Sequence, residues 1–265
     1  MPTAKPKDRR TIASVQRALD ILNLFNNGQA ELGNSEIARL VGLPVGTASG
    51  LIYTLKINNY LDQNPANRKY RLGLKLAERA SVLLDQLDIR KISAQYLEDL
   101  RVWCDESINL AIRDGSEVVY IERLFGNHAL GIRSELGKRG PLHSTALGKA
   151  IVSFLPEPEF NTLFSQYDFI AVTPFTITGL DQFREEVDKI RTVGYAVDEQ
   201  ENEMGGRCVG APIFNHMGYP IAAVSISVPI QRLPVDAVRK YGSKLIETTK
   251  NISQQMGMPR ESYRS

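Results

Sequence analysis

The sequence has few of the residues that build disulfide frameworks and metal sites. Its 265 residues include two cysteines, Cys104 and Cys208, and three histidines, His128, His143 and His216. Two cysteines make no disulfide framework, and the cysteines and histidines lack zinc-site spacings such as HExxH or paired CxxC. We therefore expect neither a structural metal nor a cofactor.

Long apolar runs are also missing. The longest lies near residues 221–230, is interrupted by Ser225, Ser227 and Pro229, and falls short of the roughly 18 residues that a membrane span needs. The charged start MPTAKPKDRR is not followed by the apolar core of a signal peptide. We expect a cytoplasmic protein that does not associate with a membrane.

A net charge of only +2 conceals an asymmetry along the chain. Residues 1–75 contain 11 Lys and Arg against 5 Asp and Glu, an excess of +6, whereas residues 76–265 contain 21 against 25, an excess of −4. The apolar fraction of 43% excludes a largely disordered chain, and the length suits two domains of roughly 100 to 150 residues. A basic part beside an acidic part is typical of a protein whose basic part meets a polyanion.

Three helices are predicted within the basic part, after a basic arm over residues 1–10. The first starts at Ser14 and stops at Asn26-Asn27-Gly28; the second is capped by Asn34-Ser35 and closed by Gly42; the third has Pro44 in its first position. The apolar stripes that support them are, for the first helix, Val15, Ala18, Leu19, Leu22 and Phe25, and for the third, Ala48, Leu51, Ile52 and Leu55.

Residues 61–63 and 69–71 alternate like short strands around the turn 64–67, which predicts a hairpin. Two helices joined by a tight turn and followed by a hairpin form a winged helix-turn-helix, a DNA-binding unit. A unit that serves only protein contacts is the alternative. The candidate DNA-binding residues lie on the outward face of the third helix and on the wing: Thr47, Ser49, Gly50, Tyr53, Thr54, Lys56, Arg68, Lys69 and Arg71.

The rest of the chain is predicted to be a linker helix and an α+β domain. Helical spacing over residues 74–86 and 89–103 predicts two helices, with Trp103 packed in a core. Strands are expected at 109–113, 117–124 and 130–134, a hairpin at 208–214 and 221–228, and helices at 145–154, 182–193 and 235–256. We therefore divide the chain into residues 1–75, 76–88 and 89–265.

Two features of the acidic part are candidate binding elements. Ser225 and Ser227 share one face of a strand, which favours solvent exposure over a pocket lining. The stretch His143-Ser144-Thr145 is expected to cap a helix that starts near Ala146; free N–H groups there bind carboxylates or phosphates, and capping alone is an equal alternative.

Five stretches resemble the IclR family of bacterial transcriptional regulators. SVQRALDILNLF, SEIARLVGLPVGTASGLIYTLKINNYL and KYRLGLKL are similar to its N-terminal domain, and PLHSTALGKA and GYAVDEQENEMGGRCVGAPIFNHMGYPIAAVSISVP to its effector domain. The resemblance implies a GAF/PAS-like effector domain, a homodimer or dimer of dimers, operator DNA and a small organic-acid or aromatic effector controlling catabolic genes. It implies these effector-binding residues: Ala146, Leu147, Asp198, Cys208, Ser225 and Ser227.

Further expectations concern the wall and the charge of this implied pocket. Leu130 and Ile132 are candidate wall residues. The charge of Asp198 would repel a carboxylate, so we expect Asp198 to accept from a hydroxyl or backbone N–H, or to be partly protonated.

Two other functions are alternatives to a regulator. One is a scaffold that binds a small molecule or a protein. The other is a hydrolase-like enzyme that uses Cys208 or Ser144 with His143. No GxSxG elbow surrounds a serine, and adjacent residues seldom present a nucleophile and a base to each other. We expect no catalytic activity.

Overall fold

The chain forms two compact units, one within residues 1–86 and the other within residues 87–265. A computed structural model describes residues 11–26, 28–85, 87–128, 131–132 and 135–259. The predicted basic arm, residues 1–10, and Asn27 of the predicted helix stop lie outside the described residues.

The first unit has three helices, a two-stranded wing and a fourth helix. Its elements are α1 (Ala13–Asn23), α2 (Asn34–Leu40), α3 (Val45–Ile57), β1 (Leu61–Gln63), β2 (Tyr70–Leu72) and α4 (Lys75–Asp85). β1 and β2 pair antiparallel with Asp62 opposite Arg71, so the winged helix-turn-helix prediction is confirmed.

The core of this unit corrects the predicted face of α1. Ile21 and Phe25 are buried in it, whereas Val15 and Leu19 are about half exposed. Ile21 and Phe25 lie four residues apart and share one helix face, and only residues from the second half of α1 and just beyond enter the buried cluster with α2 and α3. The predicted stripe of α3 is confirmed in full: Ala48, Ile52 and Leu55 are buried and Leu51 packs against them.

Two helix starts are displaced by one residue from the predictions. Gly33 rather than Asn34 is the N-cap of α2, and its N–H donates to the Glu36 carboxylate at 3.3 Å. Pro44 is the N-cap of α3 and not its first residue. Gly42 closes α2 with a φ of 65°, as predicted for a left-handed position that glycine favours.

The second unit is an antiparallel sheet with helices, which confirms the α+β prediction. Its elements are α5 (Asp88–Cys104), β3 (Ser107–Asp114), β4 (Glu117–Leu124), β5 (Arg139–Pro141), α6 (Ala146–Val152), α7 (Glu157–Phe164), α8 (Leu180–Val193), β6 (Ala196–Glu199), β7 (Gly206–Phe214), β8 (Pro220–Pro229) and α9 (Val238–Gln255). The strand order is β5-β4-β3-β8-β7-β6. β8 is therefore an interior strand, between β3 and β7.

Three predictions about this unit need correction. Gly131 and Ile132 are not in a strand, and residues 130, 133 and 134 lie outside the described residues. Strands β5 and β6 and helix α7 were not predicted. Trp103, predicted to lie in a core, is 37% exposed and packs edge-on against Tyr241. The buried row of α5 consists of residues 89, 93, 97 and 100. Helical spacing continues this row to residue 104, so Trp103 lies at its edge.

Candidate functional site

The outward face of α3 carries the side chains that were predicted to meet DNA. Thr47, Gly50, Thr54 and Lys56 are exposed, and Tyr53 has 64% of its surface exposed. These residues lie opposite the buried stripe of the same helix. This face of α3 is therefore available to the major groove of DNA, which is wide enough to admit an α-helix.

Two hydroxyls of α3 are already bonded within the unit. Ser49 is half-buried, donates from Oγ to the Val45 carbonyl at 2.7 Å and accepts from Asn34 Nδ2 at 2.8 Å. Thr54 donates to the Gly50 carbonyl at 2.9 Å. Ser49 therefore joins α3 to the start of α2.

The basic side chains on the wing and next to it differ in their partners within the unit. Arg71 donates two hydrogen bonds to Asp62, the shorter at 2.7 Å, and this contact lowers the pKa of Asp62. Lys56 donates to the amide oxygen of Gln63 at 2.9 Å. Arg68 and Lys69 are exposed and make no ion pair within the part of the chain that the structure describes.

Glu31, which sequence reasoning missed, supports the tip of the wing. Its carboxylate accepts from Asn64 Nδ2 at 2.8 Å and from Asn67 Nδ2 at 2.7 Å. The same hydrogen bonds lower the pKa of Glu31. Arg68 follows directly and has a left-handed φ of 61°, so this turn positions the Arg68 side chain.

The second unit contains a cavity on which all six effector residues implied by the resemblance converge. Its volume is about 490 Å³, counting the mouth that opens to solvent. The six are Ala146, Leu147, Asp198, Cys208, Ser225 and Ser227. Ile132 lines it as predicted, whereas Leu130 lies outside the described residues. Asn109, Tyr120 and Lys138 also line it, and none of them was predicted.

One wall is the first turn of α6, capped as predicted. Thr145 accepts from the Gly148 N–H at 3.0 Å and donates to the Pro141 carbonyl at 2.7 Å. The N–H groups of Ala146 and Leu147 have no acceptor inside the helix, because they lie in its first turn. The sheet approaches closely here: a Cβ on Gly210 would lie 2.6 Å from the Ala146 oxygen.

The opposite wall is the serine face of β8, and the favoured solvent exposure of that face was wrong. Ser225 is 2% exposed and Ser227 is 5% exposed, because β8 lies between two strands and α6 packs on it. Asn109 of β3 donates from Nδ2 to Ser227 Oγ at 3.1 Å and to Ser225 Oγ at 3.4 Å. The signal that could have found Asn109 is a lone amide in the apolar run of SINLAI.

Asp198 of β6 is a buried part of the cavity lining and is held by the turn after β6. Its Oδ1 accepts from the N–H of Glu201 at 2.7 Å and of Asn202 at 3.2 Å. Burial, together with the Glu201 charge, raises the pKa of Asp198 to about 7. Because its charge would repel a carboxylate, Asp198 was expected to accept from a hydroxyl or a backbone N–H, or to be partly protonated. The two backbone hydrogen bonds and the raised pKa agree with that expectation.

The nucleophile and base of the enzyme alternative are bonded elsewhere. His143 Nδ1 lies 3.0 Å from the Tyr167 hydroxyl, its Nε2 lies 3.1 Å from the Ile170 carbonyl, and Ser144 Oγ donates to Asn202. Burial, above all, raises the pKa of the Cys208 thiol, which disfavours the thiolate that a nucleophile needs. Among the described residues no hydrogen bond joins His143 to Ser144 or Cys208.

No single helix in the described ranges has the length and apolarity to cross a membrane. Taken together, α2 and α3 reach that length and apolarity, but the chain bends by 110° between them. The described residues contain no group of three or more His, Cys, Asp or Glu placed to hold a metal ion.

Comparison with known proteins identifies the family. Residues 14–65 match the IclR helix-turn-helix domain, and residues 81–254 match the C-terminal domain of bacterial transcriptional regulator IclR. The chain belongs to the IclR family. Like the relatives it matches, it is a DNA-binding transcriptional regulator with an N-terminal helix-turn-helix.

Relatives of this IclR-family chain extend over nearly its whole length. The HTH-type transcriptional regulator XynR of Escherichia coli K12 is 38% identical, covering 94% of this chain and 98% of XynR. The crystal structure of Thermotoga maritima IclR is 34% identical, with a TM-score of 0.80 and coverage of 93% and 100%. An IclR homologue from Microbacterium hydrocarbonoxydans, solved with 4-hydroxybenzoate, has a TM-score of 0.79, 23% identity and coverage of 92% and 98%, which shows a shared fold.

Proposed function

We propose that this IclR-family regulator binds a small organic acid or aromatic metabolite in the cavity between α6 and the sheet, and so controls catabolic genes. The observation that carries the proposal is the convergence of Ala146, Leu147, Asp198, Cys208, Ser225 and Ser227 on one cavity. Pockets of this kind combine an apolar lining with a few placed polar groups. The 4-hydroxybenzoate complex of the Microbacterium homologue supports the ligand class.

The chemistry of the cavity favours an anion with an apolar body. The N–H groups of Ala146 and Leu147 and the hydroxyls of the two serines are donors. Lys138 and Glu203 both line the cavity, so their opposite charges offset each other and the neutral donors carry the preference. The side chains of Leu147, Ile132 and Tyr120 supply apolar surface for a carbon skeleton or a ring.

On the DNA side, α3 is the reading helix and the wing contacts phosphates. Tyr53 and Thr47 are the outward groups that can reach base edges, with Gly50 allowing a close approach. Ser49 and Thr54 are bonded to their own unit and hold the face in shape. Arg68 and Lys69, and less strongly Lys56 and Arg71, neutralise phosphates, so affinity should fall steeply with salt.

The active form in this proposal is a cytoplasmic homodimer, or a dimer of dimers, on a two-fold operator. Helix α4, Lys75–Asp85, covers most of the proposed linker, residues 76–88, between the domains 1–75 and 89–265. Leu74, just before α4, and Val82 and Leu83, within it, are more than half exposed. A partner subunit would cover this apolar surface.

A melting-temperature screen of small organic acids tests the ligand site. We expect at least one acid to stabilise the wild-type chain by mass action and to lose this effect in Ser225→Ala. Ser165→Ala is the matched control, since Ser165 is exposed at the end of α7. If no acid stabilises the wild type, or if Ser225→Ala responds equally, the cavity is not the effector site.

A further inference from the structure

The segment between α7 and α8 contacts two sides of the cavity. Residues 167–176, which we call the strap, contain no helix or strand, and the structure describes every one of them. None of them lines the cavity. One end of the strap is hydrogen-bonded to the residues before α6, and the other end to the turn after β6. The strap therefore joins the α6 side of the cavity to the β6 side without lining it.

The hydrogen bonds at the α6 end require a neutral His143. Its Nε2 lies 3.1 Å from the Ile170 carbonyl, which can only accept, so Nε2 carries the hydrogen. In a neutral ring Nδ1 is then an acceptor, and it takes the proton of the Tyr167 hydroxyl at 3.0 Å. The Tyr167 oxygen in turn accepts the Leu142 N–H at 2.9 Å. Because α6 begins at Ala146, these contacts hold the strap against the chain that leads into the first turn of α6.

The β6 end of the strap is held by two threonine hydroxyls. Thr173 donates to the Gln200 carbonyl at 2.6 Å, and Thr176 donates to the Glu201 carbonyl at 2.6 Å. Thr176 Oγ1 also accepts two N–H groups of the strap itself. The N–H of Glu201 donates to Asp198, which lines the cavity. The turn after β6 is therefore bonded both to the strap and to a cavity residue.

A protonated His143 does not fit the contacts at the α6 end. Its Nδ1 would carry a hydrogen and could no longer accept the Tyr167 proton. The Tyr167 oxygen would then face two N–H donors, from His143 and from Leu142, and its own proton would lose its acceptor. The ring would also bring a positive charge to a buried position, which costs free energy unless the charge is paired. Protonation therefore weakens the α6 end of the strap.

The charges near His143 do not offset this cost. Burial, first of all, lowers the pKa of His143 below its ordinary value of 6.5. Lys149 of α6 lowers this pKa further, whereas Asp168 of the strap raises it, and Glu117 of β4 acts on the neighbouring Tyr167. The stability that the strap gains from the neutral ring is therefore fully present above pH 6.5 and is lost as pH falls below this value.

We propose that His143 and Tyr167 are positioning residues that hold the strap across the two sides of the cavity while His143 is neutral, so that acidification releases the strap and weakens effector binding. The inference rests on the proposed effector site, and it adds a response to pH and residues that do not touch the ligand. Release frees the start of α6 from the turn after β6. The amide donors of Ala146 and Leu147 and the carboxyl group of Asp198 then no longer keep one fixed spacing.

Hydrogen–deuterium exchange of the effector-free chain tests the strap itself. Peptides covering residues 139–147 and 165–178 should lose protection from about pH 6.5 to pH 5.5, after correction for intrinsic exchange, by up to about tenfold in the opening equilibrium. His143→Gln supplies an uncharged donor and acceptor and should keep its protection. His216→Gln, at an exposed histidine, is the matched control and should respond like the wild type. Equal pH responses of the wild type and His143→Gln would overturn the inference.

Calorimetric titration with benzoate, 4-hydroxybenzoate, pyruvate and lactate tests the effect on binding. From about pH 7.5 to pH 5.5 the Kd of the wild type should rise relative to that of His143→Gln, by up to about tenfold. Asp198 is present in both chains, and its protonation would strengthen acid binding by removing a like charge, so the ratio of the two Kd values isolates His143. A constant ratio would contradict the inference and leave the cavity as the site. A wild type that binds none of the acids overturns the proposed function, and the exchange experiment then decides on the strap alone.

Cutting each end of the strap separately tests whether it joins the two sides. Tyr167→Phe keeps the ring in its aromatic contacts and removes the hydroxyl, and Thr176→Val removes the hydroxyl at the other end. Each variant should weaken acid binding about three- to tenfold at neutral pH, as for one hydrogen bond. The double variant should lose no more than the weaker-binding single variant, because a strap released at one end no longer joins the sides.

Losses that multiply in the double variant would show that the two ends act independently, and would overturn the inference. Circular dichroism melts establish that each variant folds. If Thr176→Val does not fold, Thr173→Val replaces it, since Thr173 is the other hydroxyl that bonds the turn after β6.

Discussion

The ammonium group of Lys149 forms an ion pair with the Glu201 carboxylate. Lys149 has no exposed surface, and its second partner, Glu186 of α8, lies 3.1 Å away. Leu147 of α6 and Asn202, next to Glu201, both line the cavity. The ion pair therefore joins two of the cavity walls.

Removal of the buried cation should be strongly destabilising. Lys149→Met leaves the Glu201 carboxylate buried without compensation, and one of its oxygens already has no partner. We expect a loss of about 3 to 5 kcal/mol in the free energy of unfolding, measured by urea denaturation. Lys189→Met, an exposed lysine of α8, should change stability by less than about 0.5 kcal/mol. A loss in Lys149→Met as small as the control would contradict this role.

Asp198 should make the stability of the chain depend on pH. Its pKa is about 7 in the folded chain against an ordinary value of 3.8, so the folded state binds more protons between pH 4 and pH 7. The contribution of Asp198 to the free energy of unfolding therefore falls as pH rises through this window.

Urea denaturation across this pH range provides the check. Asp198→Asn should lack the decrease, so the wild type should lose stability relative to the variant from pH 4 to pH 7, by at most about 4 kcal/mol. Asp168→Asn, at an exposed position, serves as the control. Parallel curves for the wild type and Asp198→Asn would show that Asp198 titrates normally.

Two arginines of the wing should contribute unequally to the salt dependence of DNA binding. Arg68 makes no ion pair within the described residues, whereas Arg71 is paired with Asp62. We expect Arg68→Gln to reduce the slope of log affinity against log salt by about 1 per subunit, and Arg71→Gln by clearly less. Fluorescence anisotropy at several salt concentrations measures both slopes, and equal slopes would mean that the Asp62 pair opens on DNA.

Tyr53 should contribute to sequence reading and little to stability. It is 64% exposed on the outward face of α3, so Tyr53→Ala should weaken binding to operator DNA by about 1 to 3 kcal/mol without lowering the melting temperature. Tyr53→Phe separates the hydroxyl from the ring. Competition with unrelated DNA is the measurement; if specific and non-specific binding fall equally, α3 does not read the sequence through Tyr53.

The winged helix could be predicted because its signals are local. The stripe of Ala48, Ile52 and Leu55, the left-handed Gly42 and the alternation around the wing all act within a few residues. The exposure of Val15 and Leu19 could not be predicted in the same way. Which end of α1 enters the core depends on where α2 and α3 lie, and periodicity within α1 carries no such information.

The cavity depends on contacts between distant parts of the chain. Ser225 could be read as solvent-facing because alternation in β8 does not reveal that β3 and β7 flank it and α6 covers it. Asn109 and Lys149 were missed for the same reason: their partners, Ser227 and Glu201, lie 118 and 52 residues away. The resemblance to the IclR family supplied the six cavity residues, and the structure adds the groups that position them.

The most direct test of the whole account is the coupling between effector and DNA. Fluorescence anisotropy should measure the Kd for the chain's own upstream DNA with and without a saturating acid from the melting screen. The account predicts that the acid changes this Kd by some factor, that the DNA changes the Kd of the acid by the same factor, and that Ser225→Ala abolishes both effects. An identical DNA Kd with and without a bound acid would contradict it.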